Sequence, residues 1–86
     1  MRYDFDAVID RRGTASVKWD LTQELFGADD LLPLWVADMD FAAPPEVLAA
    51  LHQRVDHGIF GYTANMPEYY AAVAGWFKRR HNWQLA

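Results

Sequence analysis

The run Leu31-Leu32-Pro33-Leu34-Trp35-Val36-Ala37 ends abruptly at Asp38-Met39-Asp40, and this boundary constrains the chain more than any other feature. Apart from Pro33 nothing interrupts the run. Its length and its Leu/Trp/Val content suit a short buried strand, or an extended segment packed on both faces. The two carboxylates cannot follow it cheaply into an apolar interior. Pro44-Pro45 then prepares a helix start, because proline is tolerated in a first turn where its missing N–H has no partner to lose. Glu46 complements the positive end of the helix dipole. Val47, Leu48, Leu51 and Val55 recur at three- and four-residue spacing and make one apolar stripe. Gly58 stands where a left-handed cap belongs, with Arg54 and His57 in the last turn. The aromatic loop Ile59-Phe60-Gly61-Tyr62-Thr63 follows. Extended segment, acidic turn, helix and loop therefore read as one unit over residues 32–63.

On its N-terminal side, residues 1–19 interleave charged and apolar side chains without a sustained period, as an arm does, and Arg11-Arg12-Gly13-Thr14 reads as a turn. Asp10-Arg11-Arg12 suggests a solvated turn with a surface ion pair. A role in a subunit contact is the alternative. Asp20 has the chemistry of an N-cap with Gln23 three residues on, the spacing of a capping box, and Leu21, Leu25 and Phe26 could face inward before Gly27. Residues 1–31 thus make an arm and a short helix. On the other side a long helix is expected from Asn65 to Asn82. Asn65 is its candidate cap, Pro67 and Glu68 fall in its first turn, and Asn82 is placed for the left-handed position. Its apolar face would carry Tyr69, Tyr70, Val73, Trp76 and Phe77. Trp83 and Leu85 begin an alternation that stops at Ala86, as if a strand were cut short.

A chain of 86 residues with 52% hydrophobic and 15% aromatic composition has more aromatic volume than a small core can cover. Four Trp, four Tyr and five Phe point to a piece of something larger, or to a segment that expects a partner surface. The formal charge of −4 gives no long-range pull toward nucleic acid or anionic lipid. No run approaches the ~20 apolar residues of a membrane span, and acids interrupt the first residues where a signal peptide would be apolar. Without cysteine there are no disulfides or thiolate metal sites, which fits a cytoplasmic setting.

Candidate chemistry is sparse. Asp38 and Asp40 are either caps of the turn before the Pro45 helix or a carboxyl pair whose pKa values are pushed apart. The basic cluster Lys78-Arg79-Arg80-His81 complements a helix C-terminus better than it makes a nucleic-acid patch. Asp29-Asp30 lacks a third oxygen ligand at calcium-loop spacing. His52 and His57 are five apart, on different helix faces, so no metal site is expected.

In collinear order, LPLWVADMDF, PPEV and GIFGYT, preceded by YDFDAVIDRRGTASVKWD and followed by YYAAVAGWFKRRHNW, resemble the N-terminal segment of the MalY/PatB-type cystathionine β-lyases. The resemblance covers nearly the whole chain. It implies an α/β fold of the pyridoxal-phosphate (PLP)-dependent transferase type, fold type I, of which this segment supplies an arm, one extended or strand segment and helices. Residues 64–86 would then open the large cofactor-binding domain, and the chain would be a fragment. The reaction implied is cleavage of an amino-acid thioether such as cystathionine to a thiol, pyruvate and ammonia, in a homodimer.

The resemblance also implies roles for three residues. Tyr62 matches a tyrosine that donates its hydroxyl to the PLP phosphate of the partner subunit; read without the family, it is a core tyrosine. Ala37 and Asp38 match the place where backbone comes close to the substrate carboxylate. The lysine that holds the cofactor's aldehyde has no counterpart, because neither Lys18 nor Lys78 has its context, so no catalytic residue is expected here. Two other readings stay open: an aminotransferase on the same fold, and a free-standing small helical interaction module.

Overall fold

The computed structural model describes residues 3–86, so Met1 and Arg2 of the expected arm lie outside the described residues. It contains four helices: α1 (Val17–Asp20), α2 (Thr22–Phe26), α3 (Pro45–His57) and α4 (Pro67–His81). The chain divides into two units, 1–53 and 54–86, with the division inside α3.

In the first unit the chain bends at Phe5–Asp6, turns at residues 12–15 and enters α1 and α2. The expected capping box at Asp20 is not what forms. Asp20 ends α1, and the residue preceding α2 is Leu21, with no side-chain cap. The Asp20 carboxylate instead turns back on the loop and accepts the backbone N–H groups of Gly13 and Ser16, each at 2.9 Å. These backbone donors, Gly13 foremost, hold its pKa below the usual carboxylate range. A carboxylate that can satisfy two loop amides at once has a stronger claim on its position than a single helix N–H offers. It also pins a turn that carries Ala15 at φ 61°, a value costly for a residue with a Cβ.

Residues 31–40 belong to no helix or strand; they bend at Trp35–Val36 and turn tightly where the Asp38 N–H reaches the Val36 carbonyl at 2.9 Å. No strand forms among the described residues. The expected packing on both faces does not form: Leu32 is 77% and Leu34 87% exposed. A strand needs a ladder partner for its N–H and C=O groups, and among the described residues no backbone hydrogen bond joins this segment to another. Phe26 packs edge-on against Trp35 at 5.3 Å between centroids, and Phe5 against Phe41 at 5.5 Å. Pro33 is buried, but no large hydrophobic side chain among the described residues is.

The two long helices follow their local signals. α3 begins at Pro45 and closes at Gly58, whose φ of 77° is the left-handed conformation a glycine adopts without penalty. Its Val47, Leu48, Leu51 and Val55 stripe is present but uncovered. α4 starts at Pro67 after Met66, not Asn65, and no side chain caps it. It ends at Asn82 at φ 48°, whose N–H returns to the Lys78 carbonyl at 3.1 Å while the Trp83 N–H returns to Phe77 at 3.3 Å. Trp76, Phe77, His81 and Trp83 stack along its last two turns. His81 is exposed at the end of α4, its ring 5.0 Å from that of Trp76.

Gly75 sits inside α4, where the only atom near a Cβ built on it is the mobile end of Arg79, at 3.1 Å. Gly75→Ala is therefore expected to raise the helicity of a peptide spanning 65–83, by about 0.8–1 kcal/mol on the propensity scale. Far-UV circular dichroism against temperature measures it.

Candidate functional site

Two features of the first unit converge on the acidic turn. Asp38 and Asp40 both turn toward the start of the chain, while Met39 between them faces solvent. The cations that meet them come from the start of the chain. Arg11 grips Asp38 with both guanidinium ends, at 2.8 and 3.1 Å, and reaches Asp40 at 2.8 Å. Its Nη1 also donates to the Met39 carbonyl at 3.3 Å. Lys18, on the short α1, is 7% exposed. Its ammonium donates to the Asp38 carbonyl and to Asp40 Oδ2, the latter at 2.8 Å. The Trp19 indole N–H completes the set on Asp40 Oδ1 at 2.8 Å. Arg12 covers the Trp19 ring from 5.5 Å.

Two cations face two carboxylates, so the cluster is internally neutral and densely hydrogen-bonded. The Lys18 hydrogen bond first, then those of Trp19 and Arg11, hold the Asp40 carboxyl far below the usual carboxylate range. Arg11 does the same, less strongly, to Asp38. Both carboxyls are moved in the same direction, whereas an acid–base pair has its two pKa values pushed apart. Capping is not their role either. The first turn of α3 is closed by backbone, with the N–H groups of Val47 and Leu48 on the Pro44 carbonyl. Their function here is to anchor.

Beside this cluster lies an open cleft of about 490 Å3 along residues 5–12, walled by Trp19, Asp40 and Phe41. A second, about 410 Å3, runs between Phe5, Phe41 and the start of α3. Tyr3 closes the arm onto that helix by donating to both oxygens of Glu46, at 3.0 and 3.1 Å. Asp10-Arg11-Arg12 is thus not a solvated turn with a local ion pair. Among the described residues Asp10 accepts only the Arg12 N–H, at 3.0 Å, and Arg11 finds its partners 27 and 29 residues downstream. The readable signal was Asp-x-Asp at strand period opposite two basic residues.

Of the implied site residues, Ala37 is exposed and directly precedes the anchored turn. Asp38 is half-buried with its carboxylate committed to Arg11. In the second unit, Tyr62 is wholly exposed and its hydroxyl makes no hydrogen bond among the described residues. Arg54 donates to Thr63 Oγ1 at 3.3 Å beside it. Lys78 donates to Asn82 at 3.0 Å. Among the described residues no three His, Asp or Glu side chains gather as metal ligands do, and no helix is long and apolar enough to cross a membrane.

No family model matches the chain. Individual proteins do. It is 55% identical over 82 residues to cystathionine β-lyase PatB of Bacillus subtilis, covering 95% of this chain and 21% of that protein. Protein MalY of Escherichia coli is 46% identical over 80 residues, 92% of this chain and 20% of MalY. This chain is similar to one segment of the MalY/PatB-type proteins. The crystal structure of a PLP-bound C–S lyase from Staphylococcus hominis superposes on all of it, and on 22% of that lyase, with a TM-score of 0.83 at 37% identity. The fold of the MalY/PatB-type segment is that of the PLP-dependent aminotransferases, fold type I. The segment spans about a fifth of the length of the curated relatives it matches.

Proposed function

We propose that this chain works as the opening segment of a longer PLP-dependent C–S β-lyase that acts on amino-acid thioethers. The observation that carries the reading is the 55% identity to a cystathionine β-lyase across 95% of the chain. Within such an enzyme residues 1–31 form an arm and short helices. Residues 32–63 supply an anchored turn, α3 and the aromatic loop, and 64–86 open the large domain of a cytoplasmic homodimer.

The residues present fit one part of the cofactor and not another. Tyr62 offers a rigid phenol whose O–H is unspent within the described chain, the right donor for a phosphate. It would hold the PLP phosphate of the partner subunit. Neither lysine suits the aldehyde, since Lys18 is buried in its ion pairs and Lys78 belongs to the C-terminal turn of α4. When bound, PLP supplies the electron sink that lets an amino acid lose its α-proton. The chain's own contribution is orientation: at Ala37–Asp38 the Ala37 N–H would receive the substrate carboxylate, that of Asp38 being held by the Val36 carbonyl, with Arg11 neutralising the Asp38 side chain that would otherwise repel it.

Two measurements test this. The complete polypeptide carrying the segment should release pyruvate from cystathionine without a keto-acid acceptor; keto-acid-dependent transamination with no pyruvate would place it among the aminotransferases instead. Tyr62→Phe, which removes only the donor, should weaken PLP roughly tenfold or more in an absorbance titration. Unchanged affinity would take Tyr62 out of the phosphate site.

A further inference from the structure

Lys18 is an unusual residue to find so covered. It is 7% exposed, on a helix of four residues that no apolar core holds in place. Lysine is rarely buried without a reason that repays its desolvation. Here the ammonium spans two successive features of the acidic turn, the Asp38 carbonyl and the Asp40 carboxylate. Arg11 spans three, Asp38, Met39 and Asp40. Every polar group these cations hold lies immediately after Ala37, on the turn itself. With no strand ladder to hold it, this stretch relies on such side-chain contacts, beside the Asp38 N–H on the Val36 carbonyl, to keep its backbone in one conformation.

We infer that Lys18 is a positioning residue: with Arg11 it latches the Asp38–Asp40 turn onto α1, and so fixes the direction of the Ala37–Asp38 backbone. Its effect on ligands rests on the reading above, that this backbone faces the substrate carboxylate. Lys18 itself touches neither substrate nor cofactor. It acts by denying the turn its alternative conformations, and a ligand group that meets the Ala37–Asp38 backbone then meets it already oriented.

The test uses the complete PLP-loaded polypeptide that carries this segment, with wild type, Lys18→Met and Lys18→Arg compared. Two readouts are taken: amide hydrogen exchange at residues 37–41, and competitive inhibition by L-alanine and by ethylamine, the same amine without its carboxylate. Lys18→Met is expected to speed exchange at 37–41 and to raise the inhibition constant of L-alanine by about 10- to 100-fold. Ethylamine is expected to be unaffected, and Lys18→Arg to restore both readouts. Unchanged exchange in Lys18→Met overturns the latch, whatever happens to inhibition. Faster exchange with L-alanine and ethylamine weakened alike, or neither weakened, leaves the latch but overturns the placement of Ala37–Asp38 at the carboxylate. Should Lys18→Met fail to fold, Asp40→Asn replaces it. That variant keeps the shape and an acceptor for Trp19 and Arg11 while losing the charge that Lys18 pairs with, and the same outcomes decide.

Discussion

Asp40→Ala is expected to free the acidic turn from the start of the chain and to speed amide exchange at residues 38–41 by at least about tenfold, the equivalent of one lost charge-assisted hydrogen bond. The effect is large because Asp40 is the hub. It receives Arg11, Lys18 and the Trp19 N–H at once. Truncation leaves the covered Lys18 ammonium with only a carbonyl and the indole N–H with no acceptor. Asp38→Ala should do less, since Lys18, Trp19 and Arg11 keep Asp40. Acid should mimic the hub mutation. Both carboxyls are held below their ordinary values in the folded chain, so their contribution is whole above the unfolded carboxylate pKa near ~4 and drains away as pH falls from there toward the folded values. The same exchange readout, followed downward in pH, should show the turn opening in wild type and little further change in Asp40→Ala. A turn that stays closed in acid would mean that backbone conformation, and not the ion pairs, holds it. Tyr3 has the opposite sign. Its phenol is raised by its hydrogen bond to Glu46, so that link to α3 persists through neutral pH and is lost only as pH climbs past the ordinary tyrosine range.

The second large effect concerns residues 1–86 on their own. They are expected to melt without a cooperative transition, to bind a dye for exposed apolar surface strongly, and to aggregate. Cooperativity comes from many side chains sharing one dry interior, and no large hydrophobic side chain among the described residues reaches one. Leu32, Leu34, Met39 and Phe60 lie open, as does the apolar stripe of α3. Surfaces of that kind on a soluble chain mark the place of a partner. A sharp two-state melt by circular dichroism with weak dye binding would defeat this expectation, and would favour a free-standing interaction module over a segment of a lyase.

The sequence by itself determined what is settled within a few residues of chain: α3 between Pro45 and Gly58, α4 between Pro67 and Asn82, and the break in character at Asp38. Proline at a first turn, a left-handed residue after a last turn and a carboxylate after an apolar run each act on their neighbours, so their meaning survives without knowledge of the fold. Collinear motifs likewise sufficed to show the chain's similarity to the MalY/PatB-type proteins. Only the tertiary structure decided what the charged residues were for. Arg11 and Lys18 meet Asp38 and Asp40 across 20 to 29 residues of chain, and Asp20 leaves its helix end to hold a loop. An ion pair is indifferent to sequence separation. A local reading therefore saw a solvated turn and a capping box where the folded chain has a latch and a clasp.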